Sequence, residues 1–310
     1  MSQYVTKIRT DAGDLQIDYN ALANQPTISN PNLLMNANFK YPINQRRGAT
    51  YEGHTDRIYT IDRWCHNASD YGRILYVHDG YVKYENPNTT YNGFWFQQLE
   101  NPLPSGNYTI TVSVKSVTGN GVYVGNLISS SDGVTWGNVS TFKLQEGINT
   151  FTFNGDCAGV YFQASKSSSV ELYWVKLEVG TAATQFCPRF TQEELLLCKR
   201  YYDVINGIRV LGAERDQAIN SILFSVPRTA QMRAIPTLSI NGNTTENSTS
   251  GICVRNTECG ILEGYDFTYH VRSWEVIVLA RCPINLDREA YQAQLYISDD
   301  FLICLDAEIY

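Results

Sequence analysis

Charge is scarce in this 310-residue chain. Asp, Glu, Lys and Arg make up 18% of it, and 24 basic residues face 31 acidic ones. A net charge of -7 and the lack of any Lys/Arg run argue against a nucleic-acid partner, because affinity for a phosphate backbone rests on cations that neutralise it. Long apolar runs are missing too. The longest aliphatic stretches, such as Val276 to Ala280, are far too short to span a bilayer, so no membrane insertion is expected. The opening Met-Ser-Gln-Tyr-Val-Thr-Lys-Ile-Arg-Thr-Asp lacks the apolar core of a signal peptide, and the chain is expected to start life in a cytoplasm.

Catalytic constellations are equally scarce. His54, His66, His78 and His270 are scattered, and no Gly-x-Ser-x-Gly elbow accompanies them, which leaves no visible nucleophilic triad. Cys-x-x-Cys, His-x-x-x-His, a helix-loop-helix calcium loop, a phosphate-cradling Gly loop and a dinucleotide fingerprint are all absent, so no cofactor is expected and the chain reads as a non-enzyme. Glycoside hydrolysis needs only two carboxylates brought together by the fold. Asp62, Glu100 and Glu178 are candidates, although pairing with Arg57, Arg63 or Lys176 is the plainer role for each. A structural calcium ion at a sandwich edge, with Glu178 or Asp62 as its carboxylate, stays open. In a cytoplasm the eight cysteines (65, 157, 187, 198, 253, 259, 282 and 304) read as free, mostly buried thiols, with Cys253 and Cys259 alone close enough for a local bridge. The sequons at Asn67, Asn88, Asn107, Asn138, Asn243 and Asn247 read as ordinary polar β composition.

What the chain has is aromatic and turn residues: 21 Tyr, 12 Phe, 5 Trp and 22 Gly, a balance that favours strands. Residues 1–30 carry two short strand-like runs, around Tyr4 to Thr10 and Leu15 to Tyr19. Two strands alone hold poorly in water, so this piece is expected to dock elsewhere. From Leu33 to Val179 about ten strands succeed one another. Asp79-Gly80 marks a hairpin, Asn107 to Val117 alternates strictly, and turns are expected at Pro102 to Gly106, Gly119 to Gly121 and Asp132-Gly133. This pattern predicts an antiparallel jelly-roll sandwich over 31–189. A helix follows over Gln192 to Tyr201, with Thr191 as its cap and Glu193 and Glu194 in its first turn. A second β-sandwich head is expected over 190–310, interrupted by the polar loop Asn241 to Ser250.

Sugar rings stack on aromatic faces while Asn, Gln, Asp and Arg bond their hydroxyls, so aromatics in polar loops are the natural candidates for glycan contact. Trp136 lies in the polar loop Ser129 to Asn138 and ranks first. Tyr91, Asn92 and Trp95 follow a second polar loop, and Tyr265, Tyr269 and Trp274 surround an expected hairpin in the head, where His270 also lies. Trp64 and Trp174 sit mid-strand and read as core.

Three stretches together resemble proteins of bacteriophage and prophage tail modules from low-GC Gram-positive bacteria. Val5 to Asn24 looks like the N-terminal segment that attaches tail-fibre and baseplate proteins to the particle. Asn32-Leu-Leu-Met-Asn-Ala-Asn-Phe39, Ile43-Asn-Gln-Arg46, Tyr59-Thr-Ile-Asp-Arg-Trp64 and Val170 to Gly180 are similar to a carbohydrate-binding jelly roll. Phe186-Cys-Pro-Arg189, Glu193 to Tyr202, Phe224-Ser-Val-Pro and Met232 to Thr237 look like the link and head of such fibres, as Leu305 to Tyr310 looks like a fibre end. The resemblance implies a homotrimeric receptor-binding protein of the virion tail or baseplate, made in the host cytoplasm. It would bind cell-surface polysaccharide and join other tail or baseplate proteins through residues 1–30. No coiled-coil or β-helical shaft is visible, which favours a compact tip over a long fibre. Two other readings stand beside it: a depolymerase of the same polysaccharide, and a purely structural baseplate or decoration subunit.

Overall fold

The computed structural model describes residues 29–53, 57–67, 72–130, 141–205, 230–240 and 303–308, together with the backbone of strands at 7–10, 13–16, 133–136, 214–216, 221–227, 252–256, 260–262, 266–271, 275–281 and 294–297. The described residues are mostly antiparallel β-sheet with one short helix, as the aromatic and Gly-rich composition predicts.

Among the described residues, strands β1 (Lys7–Thr10) and β2 (Gly13–Gln16) pair only with each other. The sandwich follows: β3 (Thr50–Gly53), β4 (Ile58–Tyr59), β5 (Cys65–His66), β6 (Arg73–His78), β7 (Tyr81–Asn86), β8 (Gly93–Thr118), β9 (Val122–Ser130), β10 (Gly133–Trp136), β11 (Phe142–Lys143), β12 (Gly147–Ala164) and β13 (Ser168–Val179). Two of these strands belong to both layers. The first part of β8 pairs with β5 and the last part of β12, which also pairs with β9; the last part of β8 pairs with the first part of β12 and with β13. The first layer is thus β9, β12, β8 and β5, and the second is β12, β8, β13, β7, β6 and β3.

The turn expected at Pro102 to Gly106 is therefore a bend inside one strand, a correction that also merges the runs 149–154 and 159–164 into β12. Register shifts flank Cys157, where the ribbon folds over. Gly159 permits this: its φ is +151°, and a Cβ there would lie 2.1 Å from the Gln97 carbonyl oxygen. Gly80, at φ +83°, closes the expected hairpin between β6 and β7.

Between the layers Trp64, Trp95, Phe39 and Phe162 are fully buried. Trp64 and Trp95 stack at 4.6 Å, and Phe39 meets the Trp64 ring edge-on at 5.3 Å. Strict alternation in β8 puts Ile110, Val112 and Val114 into this core, as the sequence pattern requires. Trp64 is core as expected, but it sits after a turn rather than mid-strand, since the run 57–66 breaks at Arg63.

Helix α1 (Thr191–Lys199) begins one residue early: Phe190 is its N-cap, Thr191 is already helical, and no side chain caps it. Ten further strands follow: β14 (Tyr202–Ile205), β15 (Glu214–Asp216), β16 (Ser221–Pro227), β17 (Thr237–Ile240), β18 (Ile252–Asn256), β19 (Gly260–Leu262), β20 (Asp266–Val271), β21 (Glu275–Arg281), β22 (Gln294–Ile297) and β23 (Ile303–Asp306). They form three small antiparallel sheets, ordered β14-β23-β17, β15-β16-β21-β20 and β19-β18-β22. The polar loop at 241–250 and the thiols of Cys253, Cys259 and Cys282 lie outside the described residues. Cys65, Cys157, Cys187, Cys198 and Cys304 are free.

A buried ionic joint fastens the sandwich to the last strand. Arg63, in the turn before β5, sets its guanidinium 2.6 Å from Glu308, donates its backbone N–H to the same carboxylate at 3.3 Å, and lies 3.6 Å from the Tyr201 ring centroid. Arg46 stacks 3.7 Å over Tyr202 and sits 3.6 Å from each of Asp62, Asp306 and Glu308. Gln45 donates to Asp62 and to the Tyr202 carbonyl, both at 2.6 Å. Asp62 thus pairs with Arg46, and Glu100 takes bonds from Tyr201 and Arg200, rather than from Arg57 or Arg63 as expected.

Two outcomes follow. Trp95→Ala should cost about 3–5 kcal/mol in urea unfolding, the range for emptying a buried aromatic site; a loss near zero would contradict its place in the core. Burial raises the Asp62 carboxyl from 3.8 to about 6, against the opposing pull of Arg46 and Gln45. A raised carboxylate pKa means the folded state binds the extra proton, so this group's contribution falls as pH climbs from about 4 to about 6. The thermal midpoint of the parent, relative to Asp62→Asn, should drop across that window; a constant difference would refute the assignment.

Candidate functional site

The outer face of the second layer gathers half-buried aromatic and charged side chains around the exposed His78. Leu75, Val82, Leu172 and Val175 point into the core, so alternation turns Ile74, Tyr76 and His78 of β6, and Tyr81, Lys83 and Glu85 of β7, to the outside. Between β8 and β13 the pairing does something alternation cannot foretell. Glu171 pairs with Ser116, Leu172 with Val114 and Trp174 with Ser113, so Lys115 and Tyr173 are each an extra residue, one on either strand. Bulged residues are re-aimed, and here both join the outer face.

The resulting strip crosses β13, β7 and β6. Trp174 is half-buried and stacks on Phe186 at 4.5 Å with 1° between the rings. This corrects its expected place in the core. Lys40 lies 4.7 Å over the Tyr173 ring, Lys115 3.4 Å over Tyr81 and Lys83 5.3 Å over Tyr76. His78 stacks between Tyr81, at 4.6 Å, and Tyr76, at 6.1 Å. Tyr41, 71% exposed, stands beside Lys40 in the chain. Three strands at roughly 4.8 Å spacing give the strip a span of about 10 Å. At the Trp174 end a cavity of about 210 Å³ is lined by Asn30, Asn38, Phe186 and Arg189, among others.

Carboxylates and ammoniums alternate along the strip. Lys83 meets Glu85 at 2.6 Å, and Lys115 meets Glu171 at 3.0 Å. Ser116 also donates to Glu171 at 2.9 Å. Partial burial works to raise the Glu171 carboxyl, but the hydrogen bonds from Lys115 and Ser116 and the charges of Lys115 and Lys83 outweigh it and hold the group below its ordinary value.

Those expected site residues whose side chains the structure describes are not among the residues of the strip. Trp95 is fully buried, with its indole N–H donated to Thr60 at 3.0 Å, so it makes no surface contact; the neighbours that break the pattern are Phe94 and Phe96, which pack with Tyr161 on the other side of β8. Tyr91, 47% exposed, and Asn92 are together in the loop between β7 and β8. Trp136 ends β10, paired with Leu127, and Tyr269 lies in β20 opposite Val278. The side chains of Trp136 and Tyr269, and all of Tyr265 and Trp274, lie outside the described residues. Glu178 is bound by Lys176 at 3.2 Å and by Thr184, and Asp62 by Arg46, so neither presents a free carboxylate for calcium. Among the described residues no group of three or more His, Cys, Asp or Glu is placed to hold a metal ion.

No protein-family profile and no curated protein matches the chain. Among solved structures it is similar to a variant of a family 29 carbohydrate-binding module, with 11% identity and a TM-score of 0.30 over 46% of this chain and 100% of that one. A family 29 module from Piromyces equi is similar at 10% identity and a TM-score of 0.26, over 42% of this chain and 92% of that one. Likenesses this slight carry no function to the chain, and the site stands on its own residues.

Ion pairs at an open surface contribute little to stability. Glu171→Gln and Lys83→Met should therefore leave the thermal midpoint where it is in the parent; a large drop would mean that the strip is structural scaffolding and not a free surface.

Proposed function

We propose that the chain is a non-enzymatic glycan-binding protein of a phage tail, whose sandwich attaches the virion to polysaccharide on the host surface through the strip from Trp174 to Tyr76. The observation that carries this is the strip itself: five aromatic side chains on one open sheet face, three of them held in place by lysines of the same face. Rings pinned before the ligand arrives lose little freedom on binding, which spares the entropy that usually weakens sugar recognition. The tail assignment rests on the resemblance of residues 5–24 and 186–202 to fibre attachment and link segments. Homotrimeric assembly follows from the same resemblance, and three linked copies would raise the effective concentration of weak single sites. Tyr91 and Asn92, exposed in the loop between β7 and β8, are a separate candidate for glycan contact.

Glu171 is not suited to the part of a glycosidase acid, and Asp62, whose carboxyl is raised, is buried in the ionic joint away from the strip. A glycosidase acid needs a raised pKa so that it carries a proton to deliver, and Lys115 and Ser116 hold Glu171 the other way.

The test is binding of the full-length protein to purified host wall polysaccharide, with Tyr81→Ala and Tyr173→Ala as variants. Each substitution should weaken binding by about 1–2 kcal/mol, roughly 5- to 30-fold. Parent-like affinity in both would remove the strip from consideration, and steady release of reducing ends by the parent would replace binding with depolymerase activity.

A further inference from the structure

We infer that the strip is built for uncharged, hydroxyl-rich glycans and selects against those bearing uronate or phosphate. This deepens the glycan-binding reading and rests on it. Among the described residues, the charges that face the strip balance: Lys40, Lys83 and Lys115 against Glu52, Glu85 and Glu171. Glu52 belongs to the set because it pairs with Ile74 of β6, on the same outward row as Tyr76.

Balance alone would leave the ligand open, but the pairing does not. Lys83 and Glu85 are 2.6 Å apart, and Lys115 and Glu171 are 3.0 Å apart. Each pair offers a donor and an acceptor side by side. An ammonium only donates and a carboxylate only accepts, whereas a sugar hydroxyl does both. Neighbouring hydroxyls can therefore accept from the lysine and donate to the glutamate while the ion pair stays intact. A uronate or phosphate oxygen accepts only. Reaching Lys115 would place it against the Glu171 carboxylate, and reaching Lys83 against Glu85, so any attraction is offset by like-charge repulsion at the same distance. The lysines cannot swing away cheaply either, since each lies over a tyrosine ring of its own face.

The experiment uses the full-length protein on an array of oligosaccharides that are neutral, uronate-bearing or phosphate-bearing, read at low and at high salt, with Glu171→Gln alongside. The parent should bind neutral oligosaccharides, with affinity changing by less than about twofold across salt because no net charge is neutralised. Glu171→Gln should weaken that binding by about tenfold, the loss of a hydrogen bond to a charged acceptor. The opposite sign is decisive. If the parent binds only the acidic oligosaccharides, loses them steeply with salt, or binds more tightly after Glu171→Gln, the inference is overturned while glycan binding stands. If the parent binds none of the three classes, the underlying reading falls and takes this one with it.

Discussion

Much of this structure hangs on two arginines of the sandwich and one glutamate near the C-terminus. Arg63 and Arg46 stand in loops that precede the main strands, yet their charges are answered by Glu308, nearly the whole chain away. Two buried cations without that carboxylate would be expensive, since removing one partner of a buried pair typically costs about 3–5 kcal/mol. Arg63 also holds a backbone conformation at φ +71°, which non-glycine residues adopt only when their surroundings insist on it. The carboxylate of Glu308 supplies that insistence by binding both the backbone N–H and the guanidinium. The turn between β4 and β5, the stacking of Tyr201 and Tyr202, and the docking of the last strand are thus one event.

That arrangement decides which face of the sandwich is available. The joint occupies the β5 side, where Arg63 also donates to the Gln98 carbonyl. The far layer, from β13 to β6, keeps an open stretch in its middle. Its margin toward Glu178 is covered by Thr184 and Gln185, which hold Lys176. Among the described residues nothing comparable covers the stretch that carries the half-buried Tyr76, Tyr81, Tyr173 and Trp174. A recognition surface on regular strands, backed by a dense aromatic core, keeps its geometry better than one on loops.

The fold was largely legible in the sequence because burial in a sheet writes itself as a period of two. The Asp79-Gly80 hairpin and the alternation of Tyr108, Ile110, Val112 and Val114 into the core follow from that period. The alternation stops at Lys115, however: Val117 turns back to the core, and the facing Thr109, Thr111 and Ser113 are buried rather than wet. The bend at Pro102 to Gly106 was not legible, since prolines and glycines look alike whether a chain stops or turns a corner within one strand. The site was much less legible. Polar loops are where sequence places exposed aromatics, so its neighbourhood points Trp95 to the surface while a mid-strand position points Trp174 into the core. Local sequence does not distinguish these two tryptophans; their fates depend on which side of the pleat partner strands impose. Tyr81, Lys83 and Glu85 did carry a signal, an alternating row of large polar residues opposite Val82 and Tyr84. Lys115 and Tyr173 carried none, because a bulge exists only in the pairing of two strands.

That pairing has a consequence for how the protein can change over generations. The extra residue on β8 is answered one step later by the extra residue on β13, and beyond Trp174 the two strands resume the register they had before Glu171. Deleting either residue alone would turn half a strand inside out, driving Val112 and Ile110, or Val175 and Leu177, toward solvent. The two insertions are therefore heritable only as a couple. Length variation among descendants of this sandwich should collect in its connecting loops, while the residues of the strip vary in kind but not in number.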